Sequence, residues 1–186
     1  MSDDASFGGE TSLSRLLSTL RATLHEETYV FASIPDDDHH LPVPIEEITL
    51  FFREPHRTSG AGPSLSSSSS STAIALATEG PGPGQGKGTA ITLILRLEIA
   101  RKHGIQNYAY PCRMITCDVH SSLEAVGFMA VLATRLAGRG ISVNPVSGFY
   151  HDHLFVPVER AEEAVSELQL VREEAVRNLE TGSKRC

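Results

Sequence analysis

Val119–Pro157, VHSSLEAVGFMAVLATRLAGRGISVNPVSGFYHDHLFVP, is the stretch on which the fold turns. Just before and into it, Arg113–His120 (RMITCDVH) has the composition of a strand. Ser121–Ala137 predicts a helix with Leu123, Val126, Gly127, Ala130, Ala133, Thr134 and Ala137 on its inner face. Ser121 and Glu124 stand at the Ser-x-x-Glu spacing of a capping box, and Gly138 and Gly140 supply the stop. Ile141–Ser147 and Leu154–Val158 predict two strands joined by the turn GFYHDH. Glu159–Leu179 predicts a second helix with Ala161, Ala164, Val165, Leu168, Val171 and Ala175 inside. Strand, helix, strand, strand, helix is most of a ferredoxin-like unit, an antiparallel sheet with two helices on one face. The missing closing strand has to come from the first half of the chain.

That half has strands to spare. Leu13, Leu16, Leu17, Leu20 and Leu24 fall at helical spacing after a Thr/Ser start. Thr28–Ile34 (TYVFASI), Glu47–Arg53 (EITLFFR) and Thr89–Leu95 predict strands, and Arg96–His103 a short helix stopped by Gly104. Arg57–Gly88 is a Ser run followed by a Pro/Gly run, with Ala73–Ala77 its only apolar patch, and reads as a flexible insertion within a domain. The expected organisation is an α+β chain. It has a disordered tail over 1–10, a first unit over 11–106 containing the insertion (57–88), a second unit over 107–172, and a helix end and tail over 173–186. The two units are expected to pack as one body.

Composition narrows the function. With 186 residues and 40% hydrophobic content the chain can bury a core of its own. A formal net charge of -7 argues against nucleic acid, and no apolar run reaches the roughly 18 residues of a membrane helix. The start, MSDDASFGGE, is acidic where a secretory signal would be basic and then apolar. Cys112, Cys117 and Cys186 are too few for a disulfide scaffold, so the expected location is a reducing cytoplasm.

The run SLEAVGF followed by GFYHDHLFVP resembles the ACT-domain superfamily, in the branch of small ACT-like proteins related to the CASTOR arginine sensors. TYVFASIP, EEITLFFRE and AITLIL resemble the first half of the same proteins more loosely, so the likeness covers about Leu13 to Leu170. It implies two ACT-like, βαββαβ units side by side, the first degraded. It also implies a regulatory protein linked to amino-acid metabolism or sensing, whose small, amino-acid-like ligand sits at a strand-to-helix loop. The expected partners are that ligand and either a second copy of the chain or a regulated metabolic enzyme.

Two segments make up the candidate site. At the start of the Ser121 helix, unpaired amides and the helix dipole favour a carboxylate. His120, Ser121, Ser122, Leu123, Glu124 and Gly127 belong to this part, although Ser121 and Glu124 would use up the same amides if they only cap each other. Gly148, Phe149, Tyr150, His151, Asp152 and His153 form the other part, with Asp152 the acidic group for a ligand ammonium. His151 and His153 share a face of an extended segment and, with His120, offer a metal-assisted enzyme as the competing reading, but no fourth ligand is evident. A protein-interaction module without a ligand is the third. No cofactor, catalytic set or resident metal is expected.

Three motifs mislead. Gly80–Thr89 (GPGPGQGKGT) has Gly88 where a P-loop needs Ser or Thr, Cys112 and Cys117 lack C-x-x-C spacing, and DDDHH (Asp36–His40) is a polar run bracketed by prolines.

Overall fold

Two long strands lie antiparallel at the centre of the molecule, β1 (Ala22–Pro35) and β4 (Tyr108–Cys117). They were located in a computed structural model, which describes residues 9–36, 41–57 and 87–183. Around them run β2 (Ile48–Arg57), β3 (Lys87–Arg96), β5 (Asn144–Ser147) and β6 (Asp152–Pro157), giving one antiparallel sheet in the order β2-β3-β1-β4-β6-β5. The helices are α1 (Leu13–Thr19), α2 (Leu97–Lys102), α3 (Phe128–Gly138) and α4 (Ala161–Ser183).

The order contains two ferredoxin-like units that share their middle. β1, β2, β3 and α2 make the first, and β4 closes it; β4, α3, β5, β6 and α4 make the second, and β1 closes it. The missing closing strand thus comes from the first half, as the packing requires. Between β1 and β2 the described chain offers only a 3-10 turn at Ile45–Glu47 where the second unit has α3, which makes the first unit the abbreviated one.

Strand alternation sorts the core. Val30, Ala32, Ile91, Leu93 and Leu95 pack beneath α2 with Ile99 and Ala100. Ile115, Cys117, Leu154 and Val156 pack beneath the other helices with Leu16, Leu20, Phe128, Leu132, Leu136 and Leu168. Neighbouring positions put Tyr29, Ile94, Cys112 and Phe155 on the opposite face of the sheet, where the Phe155 ring meets Tyr29 and Phe31 edge-on.

Several expectations are corrected here. The leucine helix ends at Thr19, because Leu24 leaves the helical row for β1, where it pairs with Ile115 of β4; sheet pairing outweighs the helical spacing. α3 begins at Phe128, seven residues later than the periodicity placed it, and its buried face is Phe128, Leu132 and Leu136. Leu123, Val126, Ala130, Thr134 and Ala137 are exposed. Apolar residues lie on both sides of this helix, and burying the large ones removes more surface from water than burying alanines. α4 runs on to Ser183, and of the expected tail Glu10 is hydrogen-bonded into the body with Gly9 close against residues 120–122. Residues 58–86 of the insertion, with Ala73–Ala77, lie outside the described residues, as do 37–40 and Cys186.

Candidate functional site

β4 ends at Cys117, and the chain then turns through Asp118–Val126 before Gly127 starts α3. Gly127 has φ +93, a left-handed conformation that a residue with Cβ adopts only with strain, and it lets the loop swing directly into the helix. No side chain caps α3. The first backbone bond, Val131 N to Gly127 O at 3.0 Å, leaves the amides of Phe128, Met129 and Ala130 without an acceptor inside the helix.

The expected capping box is absent. Ser122, not Ser121, binds the Glu124 amide, Oγ accepting at 3.1 Å, and the Ala125 amide returns to Ser122 O at 2.9 Å. Ser121 turns the other way and donates its hydroxyl to Asp152 Oδ2 at 2.8 Å. Asp152 was expected in the turn GFYHDH. It is only 4% exposed, because β6 starts at this residue and pairs it with Cys117 on one side and Ser147 on the other. Burial pushes the Cys117 thiol up to about 12, and the neighbouring Asp152 charge adds to the effect.

These groups enclose a pocket of about 120 Å³ lined by Ser121, Ser122, Leu123, Gly127 and Asp152 of the expected residues, together with Ala125, Phe128, Met129, Ala130 and Ser147. Asp152 and three serines give it one anion and several hydroxyls, and the open end of α3 gives it amide donors. The five extra residues follow from the displaced start of α3 and from the β5–β6 hairpin; the Ser147–Asp152 pairing across a turn was the one signal available for Ser147.

The remaining candidates stand outside the pocket lining. Gly148 forms the tight turn expected of it, its amide reaching His151 O at 2.9 Å, and an added Cβ would come within 2.8 Å of that oxygen. Phe149 and Tyr150 are exposed and stack edge-on, and Tyr150 also lies against His120. His151 faces Asp118 at 3.5 Å. His153 meets the Thr116 hydroxyl at 3.0 Å, and the same hydroxyl meets His25 at 2.8 Å. Burial, then the charges of His151 and His25, hold the His153 imidazole below its ordinary value. The three histidines of the metal reading therefore engage three different partners, and among the described residues no cluster of three or more His, Cys, Asp or Glu could hold a metal ion. Of the DDDHH run, Asp36 is buried and pairs with Arg53 Nε at 3.0 Å.

Residues 8–56 and residues 108–169 each match an ACT-domain family model. Among curated proteins none matches the chain. Among solved structures it is similar to a Vibrio cholerae protein of unknown function described as a possible transport protein, at 29% identity and TM-score 0.57 over 87% of this chain and 97% of that one. Two lower-identity likenesses show the fold alone. One is the regulatory subunit of aspartate kinase from Thermus thermophilus in a ligand-free form (11% identity, TM-score 0.51, 83% of this chain and 98% of that one). The other is the corresponding subunit from Thermus flavus (9% identity, TM-score 0.50, 81% and 95%). Among the described residues no helix is long and apolar enough to cross a membrane.

Proposed function

As this chain belongs to the ACT-domain family, with one such domain at residues 8–56 and another at 108–169, we propose that it is a non-catalytic regulatory module that binds a small amino acid in the Ser121–Asp152 pocket. The observation that carries the reading is the placement of a buried carboxylate, Asp152, in the same 120 Å³ pocket as the uncapped start of α3. An amino acid is a zwitterion, and the pocket offers a partner for each end. The ammonium takes the Asp152 oxygen that Ser121 leaves open, and the carboxylate takes the amides of Phe128–Ala130, where the helix dipole favours negative charge. Ser121, Ser122 and Ser147 supply hydroxyls around it. A pocket of this size accepts the main-chain end and a small side chain; a longer one would pass out over Leu123 and Met129.

In this reading the chain acts in the cytoplasm by reporting an amino acid to a metabolic enzyme or to a second copy of itself. The support is the family's fold and the buried thiols of Cys112 and Cys117. The test is a thermal-shift series with each of the twenty amino acids on the full chain. A ligand present at about 100 times its dissociation constant adds roughly 2.7 kcal/mol of stability. A shift with one or a few amino acids, cut by half or more in Asp152→Asn, supports the reading. A flat response to all twenty overturns it and favours an interaction module.

A further inference from the structure

We propose that Gly9 and Glu10 form a strap that positions the ligand loop, residues 118–126, against the start of α1, so that occupancy of the pocket and closure of the strap rise and fall together. This rests on the ligand reading above for its functional consequence, but the strap itself is visible in the backbone.

The segment lies parallel to the loop and exchanges hydrogen bonds with it on both sides. The Glu10 amide donates to His120 O at 2.9 Å, and the Ser122 amide donates to Glu10 O at 3.0 Å. Gly9 comes closer still. A Cβ at this position would stand 2.6 Å from Ser121 C, 2.6 Å from Ser122 N and 2.7 Å from His120 O. All three are backbone atoms, which cannot rotate aside as a side chain would, so position 9 requires glycine for close approach rather than for an unusual φ. Any larger residue separates the strap from the loop.

The other side of the strap holds α1. The Glu10 carboxylate accepts from the amides of Thr11 at 2.9 Å and Ser12 at 2.7 Å, and faces Arg15 at 3.5 Å. The Ser12 amide, first among these contacts, keeps that carboxyl below the usual carboxylate range. α1 then sets Leu13 against Gly127, where an added Cβ would lie 3.5 Å from Leu13 Cδ2, and buries Leu16 in the core, with Leu20 buried just past its end. One short segment therefore touches the start of the ligand loop through Glu10 and its end through Leu13. Between those two points stands Ser121, whose hydroxyl orients Asp152. A loop displaced by the width of a methyl group would separate Ser121 from Asp152 and open the pocket. Because α1 keeps its own anchors in the core, loosening the strap should loosen the loop without unfolding the protein. Linkage is reciprocal: if the strap favours the ligand-ready loop, a bound ligand must tighten the strap.

Hydrogen–deuterium exchange on the full chain tests this with Gly9→Ala, which forces the strap off the loop, and Glu10→Pro, which removes the amide bonded to His120. Ser14→Ala, at an exposed position of α1, leaves the strap's backbone bonds in place and serves as control. The expected result is exchange about tenfold or more faster in peptides covering 119–127 for both strap variants, the signature of local opening, with β3 and β6 unchanged. The control should match the wild type. Isothermal titration with each of the twenty amino acids supplies the second arm: any that binds the wild type should bind Gly9→Ala about tenfold more weakly or worse. Unchanged exchange at 119–127 in both variants overturns the strap. A loosened loop with unchanged affinity overturns its link to the ligand. If the wild type binds none of the twenty, the ligand reading falls, and the exchange arm alone still decides whether Gly9 and Glu10 position the loop.

Discussion

Replacing Asp152 by Asn removes the one charge in the pocket while keeping its shape. Asp152 is 4% exposed and accepts the Ser121 hydroxyl at 2.8 Å through one oxygen, leaving the other for a ligand. Asn retains a carbonyl that accepts the same bond, so folding loses only the difference between a charged and a neutral hydrogen bond, about 1 kcal/mol. For a chain of this size that is a fall in melting temperature of about 2–4 °C. Binding loses more, because the ammonium now meets a neutral amide: about 1.5–3 kcal/mol, or roughly tenfold to 150-fold in affinity. Melting temperature and titration of the same variant separate the two roles. A purely structural Asp152 would show the temperature shift with affinity untouched, and that result would remove Asp152 from the site.

Other outcomes follow from the same structure. Leu132→Ala, in the buried row of α3, should cost about 2–5 kcal/mol in urea unfolding, while Thr134→Ala on the exposed side should stay within about 0.5 kcal/mol; equal costs would contradict the observed face of the helix. His153 is held below its ordinary value by burial, so the unfolded chain binds the proton first as pH falls. Its contribution to stability is therefore present above about pH 6.5 and lost below it, and His153→Gln should flatten that slope between about pH 7 and 5.5. Cys112 and Cys117, both buried with thiols pushed up to about 12, should resist a thiol reagent at pH 8 until the protein is denatured, as read by peptide mapping.

The sheet was legible because its central strands alternate cleanly: Val30 and Ala32 against Tyr29 and Phe31, Ile91 and Leu93 against Ile94. α3 was harder, since Phe128, Leu132 and Leu136 and the row through Ala130, Thr134 and Ala137 both satisfy helical spacing, and only packing against β4 and β6 chooses between them. The same ambiguity made Ser121 a helix cap. Ser-x-x-Glu spacing fits a capping box, but Ser122 closes a turn there instead, and the left-handed Gly127 marks the true start. Asp152 was picked out as the acidic group, yet its burial depends on pairing with Cys117 and Ser147 from two other strands. The Gly9–Glu10 contact joins segments more than a hundred residues apart, and no local pattern announces it.

Each unit is closed by the first strand of the other, so neither has a complete sheet without its neighbour. A fragment of residues 107–183 keeps β4, α3, β5, β6 and α4 but loses β1 along the whole inner edge of β4. It also loses Leu16 and Leu20, both fully buried against Ile115, Phe128 and Leu168, at roughly 1.5–3 kcal/mol each. Against a total of about 5–15 kcal/mol for a typical domain, those two leucines and the lost strand ladder consume most of the available stability. The bared β4 edge, with Ile115 and Cys117 open beneath it, would also invite strand pairing between copies. The fragment should therefore be unfolded or self-associated when made alone, and should refold when residues 9–106 are supplied in trans. A fragment that sediments as a monomer and melts cooperatively would show that the second unit does not need β1, and the shared-strand account of this fold would fail.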